Sequence, residues 1–243
     1  MRLSQEEIGF FRQVGFLRLK QRLSTELVQQ MREVIEAHSA AEIEPLRRDE
    51  NNKIIRLDNV LDRDPIFRSV FTSETILQPL QSLLGPNIEL VLNRHNHATF
   101  NRTRENKVRL HRDVLQWSRS VITVFVYLDA ATEENGCTQV VPGSHFLPFV
   151  GTPNNGGTWM DEHSVFADLI DQCVPVPMPS GGILFLDSLV FHTAGHNSTE
   201  KPRCSVCCAY HSVDELSGVR ADPKKILVCG EKLYRGNDEL YRE

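Results

Sequence analysis

Arg109-Leu110-His111-Arg112-Asp113 places an imidazole and a carboxylate in H-x-D spacing, and Phe191-His192-Thr193-Ala194-Gly195-His196-Asn197 brings a second imidazole 81 residues later (192 − 111). Arg203 follows His192 by 11 residues (203 − 192). Two imidazoles and one carboxylate on one face of an ion, with its other positions open, suit non-haem Fe(II) oxygen chemistry. An H-x-D alone says little in a chain with nine His; the late His and the Arg behind it give the set its weight. In extended backbone, residues i and i+2 point the same way. His111 and Asp113 can therefore share one ion while Arg112 points elsewhere. The competing view is structural: Asp113 pairs with Arg112 or Arg109 at the surface, and His192 caps a strand end. His196 is a rival for His192, but it follows Gly195 where the chain reads as a turn.

The elements that must position these groups fall into two textures. Ser4 and Glu7 form a capping-box pattern, with Ile8, Phe11 and Val14 on one helical face and Gly15 as the stop. Phe16 to Leu19 reads as a short strand. Ser24 can cap a helix carrying Leu27, Met31, Val34 and Ile35, Asp64-Pro65 opens another, and a further helix covers Thr75 to Leu84. Ala40 to Asn52 is charged and reads as loop. After Gly85 the texture turns to strands: Ile88 to Phe100, with polar Asn93, His95, His97 and Thr99 alternating; the apolar run Ser120 to Leu128; Thr138 to Val141; Ile183 to Leu186; Val190 to His192; and Arg203 to His211. Asn135-Gly136 marks a tight turn. Helices followed by many short strands point to a mainly β chain, a jelly-roll or barrel with helical buttresses, in one domain without a linker.

Composition bounds the function classes. A chain of 243 residues with a formal net charge of −5 lacks the basic footprint of a nucleic-acid binder. No run of eighteen apolar residues suggests a membrane span, and Met1 to Glu7 lacks the apolar core of a signal peptide. The expected location is the cytoplasm. Of the six Cys, Cys204 and Cys207 have C-x-x-C spacing, but the run Arg203 to Tyr210 reads as a buried strand whose alternate residues face opposite ways. Reduced, buried thiols in a reducing compartment account for them.

In order, His111-Arg112-Asp113, Glu134-Asn135-Gly136, Pro142-Gly143-Ser144-His145, His192, Asn197-Ser198 and Arg203 resemble the phytanoyl-CoA dioxygenase (PhyH) family, over about the last two-thirds of the chain. The resemblance implies a double-stranded β-helix (jelly-roll, cupin-like) with the N-terminal helices packed on one sheet. It divides residues 1–243 into a mostly helical buttress (1–86), the β-helix core (87–215) and a C-terminal extension (216–243).

It also implies Fe(II) held by His111, Asp113 and His192, and 2-oxoglutarate as co-substrate with its distal carboxylate on Arg203, whose guanidinium fork meets a carboxylate bidentately. Asn93, His97 and Thr123 match polar positions around the co-substrate, and Trp117 matches an aromatic near the iron. Two departures stand out: the position two beyond the distal His, often Ser, is Ala194, and a Gly-Asp before the penultimate strand is Gly181-Gly182. The intact Asp113 argues against halogenation. The expected reaction is hydroxylation, or a related radical oxidation such as ring closure, of a small molecule with O2, in a biosynthetic pathway. The stretches Glu44 to Ile55 and Phe146 to Asp161 are candidate lids. With Arg56, their polar content and Trp159 favour a polar substrate. The alternatives are a cupin-like Zn(II) hydrolase or isomerase on the same triad, which leaves Arg203 unexplained, and a binding scaffold without catalysis.

Overall fold

The computed structural model describes residues 1–92, 95–102, 110–113, 121–147, 164–213 and 224–232, and its first third is helical where apolar residues recur at helical spacing between good caps. In α1 (Gln5–Val14) the Ser4 hydroxyl accepts from the Glu7 N–H at 3.2 Å, and the Glu7 carboxylate accepts from the Ser4 N–H at 2.9 Å. α2 (Thr25–Ala40) starts at Ser24 and buries Val28, Met31 and Ile35. Asp64 caps α4 (Pro65–Phe71), which follows the single turn α3 (Val60–Arg63); α5 (Glu74–Leu84) completes the helical set.

Three strands lie among these helices: β1 (Phe16–Arg22), β2 (Leu46–Arg48) and β3 (Ile54–Asp58). The charged stretch read as loop thus holds β2, paired antiparallel with β3. Its three residues offer one apolar side chain, Leu46, too short a run for alternation to show. The remaining strands are β4 (Ile88–Val91), β5 (His97–Asn101), β6 (Val121–Tyr127), β7 (Thr138–Val140), β8 (Val174–Val176), β9 (Gly182–Asp187), β10 (His192–Ala194), β11 (Arg203–Ser212) and β12 (Lys225–Cys229). The large sheet runs β1-β9-β6-β11-β5-β3-β2, with β4 on the far end of β11 and β12 on β4; the small sheet runs β10-β7-β8. β12, within the C-terminal extension, is therefore part of the sheet.

Alternation along the strands sorts residues between two interfaces. On β11, Cys204, Val206, Cys208 and Tyr210 face the helices and join a core with Met31, Ile35, Phe67, Phe71 and Ile76. Arg203 and Ser205 face the other way, into a cavity between the sheets. A second cluster, including Tyr127, Val140, Val176 and Leu186, closes the space between large and small sheets. The helices cover one face of the large sheet, as the sequence suggests, and the candidate chemistry lies on the other. Cys204 and Cys207, three apart, fall on opposite faces, which rules out a shared ion. Burial pushes the Cys204 thiol up to about 12, with nearby Asp129 adding to it.

The Asn135-Gly136 turn has a fixed role in the sandwich. Asn101 Nδ2 donates to the carbonyls of Asn135, Gly136 and Gly195 at 3.3, 3.0 and 3.1 Å, tying β5 to the turns before β7 and after β10. Gly136 has φ +74°, and a Cβ there would strike the Gly195 carbonyl oxygen and, at 2.5 Å, Asn101 Nδ2. Left-handed backbone costs a non-glycine residue about 1–2 kcal/mol before that clash. Gly136→Ala is expected to lower the melting temperature by several degrees, and an unchanged melt would contradict this account.

Candidate active site

Backbone pairing joins the two motifs. His111 and His192 form an antiparallel bridge, each N–H donating to the other's carbonyl at 3.0 and 2.9 Å, and the Asp113 N–H donates to Ser188 O at 2.8 Å. The H-x-D segment lies extended beside the start of β10, which is why residues 111 and 113 share a side. Arg112 points the opposite way. Its Nη2 donates to the carbonyls of Ser144 and Leu147 at 2.6 and 2.8 Å, with the guanidinium 4.2 Å over the Phe191 ring. The surface pairing of Asp113 with Arg112 is thereby excluded.

The three side chains converge. Asp113 Oδ1 lies 3.8 Å from His111 Nε2 and 3.6 Å from His192 Nε2, and the three donor atoms lie within 4.8 Å of one another. His192 Nδ1 stands 2.9 Å from Val190 O, so that nitrogen carries the proton and Nε2 offers its lone pair to the centre. Burial alone would raise the Asp113 carboxyl, but the imidazoles of His95, His192 and His111 outweigh it and hold the group well below the usual carboxylate range. Asp113 is an anion with three imidazoles around it.

Thr123, matched by the resemblance to a position around the co-substrate, lies against Asp113. It is fully buried behind Asp113, donates to Oδ2 at 3.0 Å and meets Ser188 Oγ at 3.1 Å, so it orients the carboxylate. His97 does line the cavity, with Nε2 3.3 Å from Cys207 Sγ. Burial first, then the positive charge of Arg56, push its pKa well below the usual imidazole value. Asn93, Trp117 and Trp159, and residues 148–161 of the candidate lid, lie outside the described residues. His196 is exposed, and His145 is buried with Nε2 2.9 Å from Arg12 O; neither reaches the centre.

The cavity holds about 230 Å3 and runs from the triad past Thr99, Asn101 and Thr138 to Arg203. That lies below the roughly 300–1,000 Å3 of drug-sized pockets and suits a small acid. Arg203 is 4% exposed, and its Nε and Nη1 are buried without a hydrogen-bond partner among the described residues. Its guanidinium lies 5.5 Å over the Tyr127 ring, whose hydroxyl meets Thr138 Oγ1 at 2.7 Å. A buried guanidinium without acceptors is costly, and a carboxylate from outside meets the need. The donor set of two imidazoles and a carboxylate fits Fe(II).

Sequence reasoning gave no role at the centre to His95, Thr138 or Ser205, and took Arg56 only as part of the polar content that favours a polar substrate. His95 Nε2 reaches Asp113 Oδ1 at 3.0 Å, and although burial lowers its pKa, Asp113 prevails and pushes it up to about 10. Its φ of +52° departs from the strand geometry under which it was grouped with Asn93, His97 and Thr99, so that pattern did not reveal the contact with Asp113. Thr99 and Asn101 share the parity of His97 on β5, a signal that was available.

The family model for phytanoyl-CoA dioxygenase (PhyH) matches residues 11–205. "Dioxygenase af480" of Aspergillus fumigatus is 30% identical over 190 residues, 74% of this chain and 55% of its own. The peroxisomal phytanoyl-CoA dioxygenase of Mus musculus is 23% identical over 96% of this chain and 77% of its own. The chain thus spans about half the length of the first of these relatives. Among solved structures, EctD from S. alaskensis with 2-oxoglutarate and 5-hydroxyectoine superposes with a TM-score of 0.72 at 17% identity, covering 88% of this chain and 78% of that one. The likeness extends to the jelly-roll fold.

Proposed function

The chain belongs to the phytanoyl-CoA dioxygenase (PhyH) family, and from that premise we propose that it is an Fe(II)- and 2-oxoglutarate-dependent dioxygenase acting on a polar small molecule. The observation that carries this is Arg203: a buried guanidinium whose Nε and Nη1 meet no acceptor among the described residues, facing a small cavity whose other end is His111, Asp113 and His192. A zinc hydrolase on the same triad gives that guanidinium no task, and neither does a scaffold.

In this reading His111, Asp113 and His192 hold the metal, and Arg203 receives the distal carboxylate of 2-oxoglutarate. Bound there with its co-substrate and O2, Fe(II) supplies the oxidising power to take a hydrogen atom from an unactivated C–H bond. The chain's own groups position. Thr123 and Ser188 aim the Asp113 carboxylate, and the Val190 carbonyl fixes the His192 tautomer. Thr138 keeps the Tyr127 hydroxyl engaged beside Arg203. Asn93, His97, Trp117 and Trp159 remain proposed co-substrate or substrate contacts, His97 with the support of its place on the cavity wall. No helix among the described residues is long and apolar enough to cross a membrane. Six unpaired thiols support a reducing compartment, the cytoplasm.

Anaerobic titration with Fe(II) and 2-oxoglutarate tests the assignment. A weak visible charge-transfer band is expected only when both are present. Absence of the band together with absence of 2-oxoglutarate binding would end it. Thr123→Val is expected to weaken metal binding by about 10–100-fold, as loss of a ligand's orienting partner does, while leaving the fold intact. Unchanged iron affinity in that variant would remove Thr123 from the centre.

A further inference from the structure

The sheet that walls the cavity continues beyond it. Register sets Arg47 of β2 opposite Arg56 of β3, Arg56 opposite Thr99 of β5, and Thr99 opposite Ser205 of β11. Arg56, Thr99 and Ser205 all line the cavity. One row of the sheet therefore leads from the cavity wall out to two guanidiniums at its edge.

Like charges directly opposite one another across a ladder are destabilising, so an Arg–Arg pair calls for an anion. Asp58, two residues beyond Arg56 and on the same face, supplies one: its carboxylate accepts from Arg47 Nε at 2.9 Å and from Arg56 Nε at 2.6 Å. Two guanidiniums and one carboxylate still leave one positive charge. Both contacts use Nε, and the Nη ends of both arginines meet no hydrogen-bond partner among the described residues. An ion triad serving only to tie β2 to β3 would turn the two-pronged face of a guanidinium toward Asp58.

A second cavity, of about 290 Å3, opens at this edge and shares Arg56 and His95 with the metal cavity. Two non-glycine residues of its lining, Asn59 (φ +55°) and His95 (φ +52°), hold left-handed backbone. Such strain gathers at ligand clamps and active sites. The positive field of this edge also reaches inward: beyond burial, both Arg56 and Arg47 disfavour a protonated His97 on the cavity wall.

We propose that Arg47 and Arg56 form a clamp for an anionic group of the substrate, a carboxylate or a phosphoryl group, held in the outer cavity while the oxidisable carbon reaches past His95 toward His111, Asp113 and His192. The proposal rests on the metal and 2-oxoglutarate reading of that centre and names the substrate class it takes. Asp58 acts as the hinge that points both guanidiniums outward. The shared His95 and Arg56 make the outer cavity the approach to the triad.

The test is a calorimetric titration of inorganic phosphate, with propionate in parallel, into protein loaded with Mn(II) and 2-oxoglutarate, so that the triad and Arg203 are already engaged. Saturable binding of at least one probe is expected, and the better probe tells a phosphoryl from a carboxylate group. Arg47→Gln and Arg56→Gln should each weaken it at least about tenfold, the loss that follows one charge-assisted hydrogen bond. Arg47→Lys, which keeps the charge without the fork, should fall between. The 2-oxoglutarate affinity of Arg47→Gln should equal the parent's. No saturable binding of either probe, or equal affinity in parent and both Gln variants, overturns the clamp. So does a parallel loss of 2-oxoglutarate affinity, which would give both arginines to the co-substrate. Failure of the protein to take up Mn(II) and 2-oxoglutarate would instead tell against the oxygenase reading, and the same phosphate and propionate titrations of unloaded protein still decide the clamp.

Discussion

Arg203→Ala is expected to bind 2-oxoglutarate at least about tenfold more weakly than the parent, since each hydrogen bond to a charged group contributes about 1.5–3 kcal/mol, while holding Fe(II) as tightly. Its own stability should not suffer. The guanidinium is buried, with Nε and Nη1 lacking acceptors among the described residues, so removing it takes away a desolvated charge that those residues do not compensate. Linkage gives the distinguishing readout. A ligand that binds only the folded state stabilises it by about 2.7 kcal/mol at a hundred times its dissociation constant. At that concentration 2-oxoglutarate should raise the melting temperature of the parent, while a tenfold weaker Arg203→Ala should keep only about half the stabilisation, about 1.4 kcal/mol. Arg203→Lys should recover part of the shift, because an ammonium lacks the fork. An Arg203→Ala protein that melts lower without ligand, yet keeps the full 2-oxoglutarate shift, would make Arg203 a structural residue and remove the co-substrate from the account.

How much of this could be read in the sequence depends on what kind of signal each residue leaves. The strands β6, β9 and β11 are nearly continuous apolar or alternating runs, and their extents were legible to within about two residues of boundary error. The capping box at Ser4, the stop at Gly15 and the Asp64-Pro65 start follow from local chemistry and were equally legible. β2 was not, because three residues of a charged hairpin carry no period, and β3 went unread beside it. β10 begins at His192 rather than ending there; its pairing with β7 is a long-range choice that local pattern does not encode.

The site divides along the same line. His111 and Asp113 were readable from i, i+2 geometry, and His192 from its distance to Arg203. The place of Thr123 behind Asp113 depends on β6 lying next to β9, just beyond which comes Ser188. His95 was grouped with Asn93, His97 and Thr99 by alternation, but its contact with Asp113 depends on a left-handed residue that no strand pattern encodes. Arg56 was visible as a charge in a loop-like stretch, but only the pairing of β3 with β5 brings it to the cavity. Chemistry that depends on spacing within one strand is legible. Chemistry that depends on which strands become neighbours waits for the fold.

Asp113→Ala is the change expected to abolish activity outright. The carboxylate is the only anionic member of the candidate ligand set, and its Oδ1 is the atom toward which His95, His111 and His192 all point, at 3.0, 3.8 and 3.6 Å. Two neutral imidazoles remain after the substitution, too few donors and no charge to retain a divalent ion. The variant should nonetheless fold, because the His111–His192 bridge and the Asp113 N–H to Ser188 contact are made by backbone. Asp113→Asn is the sharper probe, keeping shape and part of the Thr123 contact while removing the charge. Both proteins should leave dialysis with far less iron than the parent, give no charge-transfer band with 2-oxoglutarate, and still show the far-ultraviolet circular dichroism of the parent. Arg203→Ala, by contrast, should retain its iron and lose the band only at low 2-oxoglutarate. Asp113→Ala that kept its iron and oxidised substrate at near the parent rate would show that the metal sits elsewhere, and the second cluster of potential ligands, His95, His97 and Cys207, would be the first place to look.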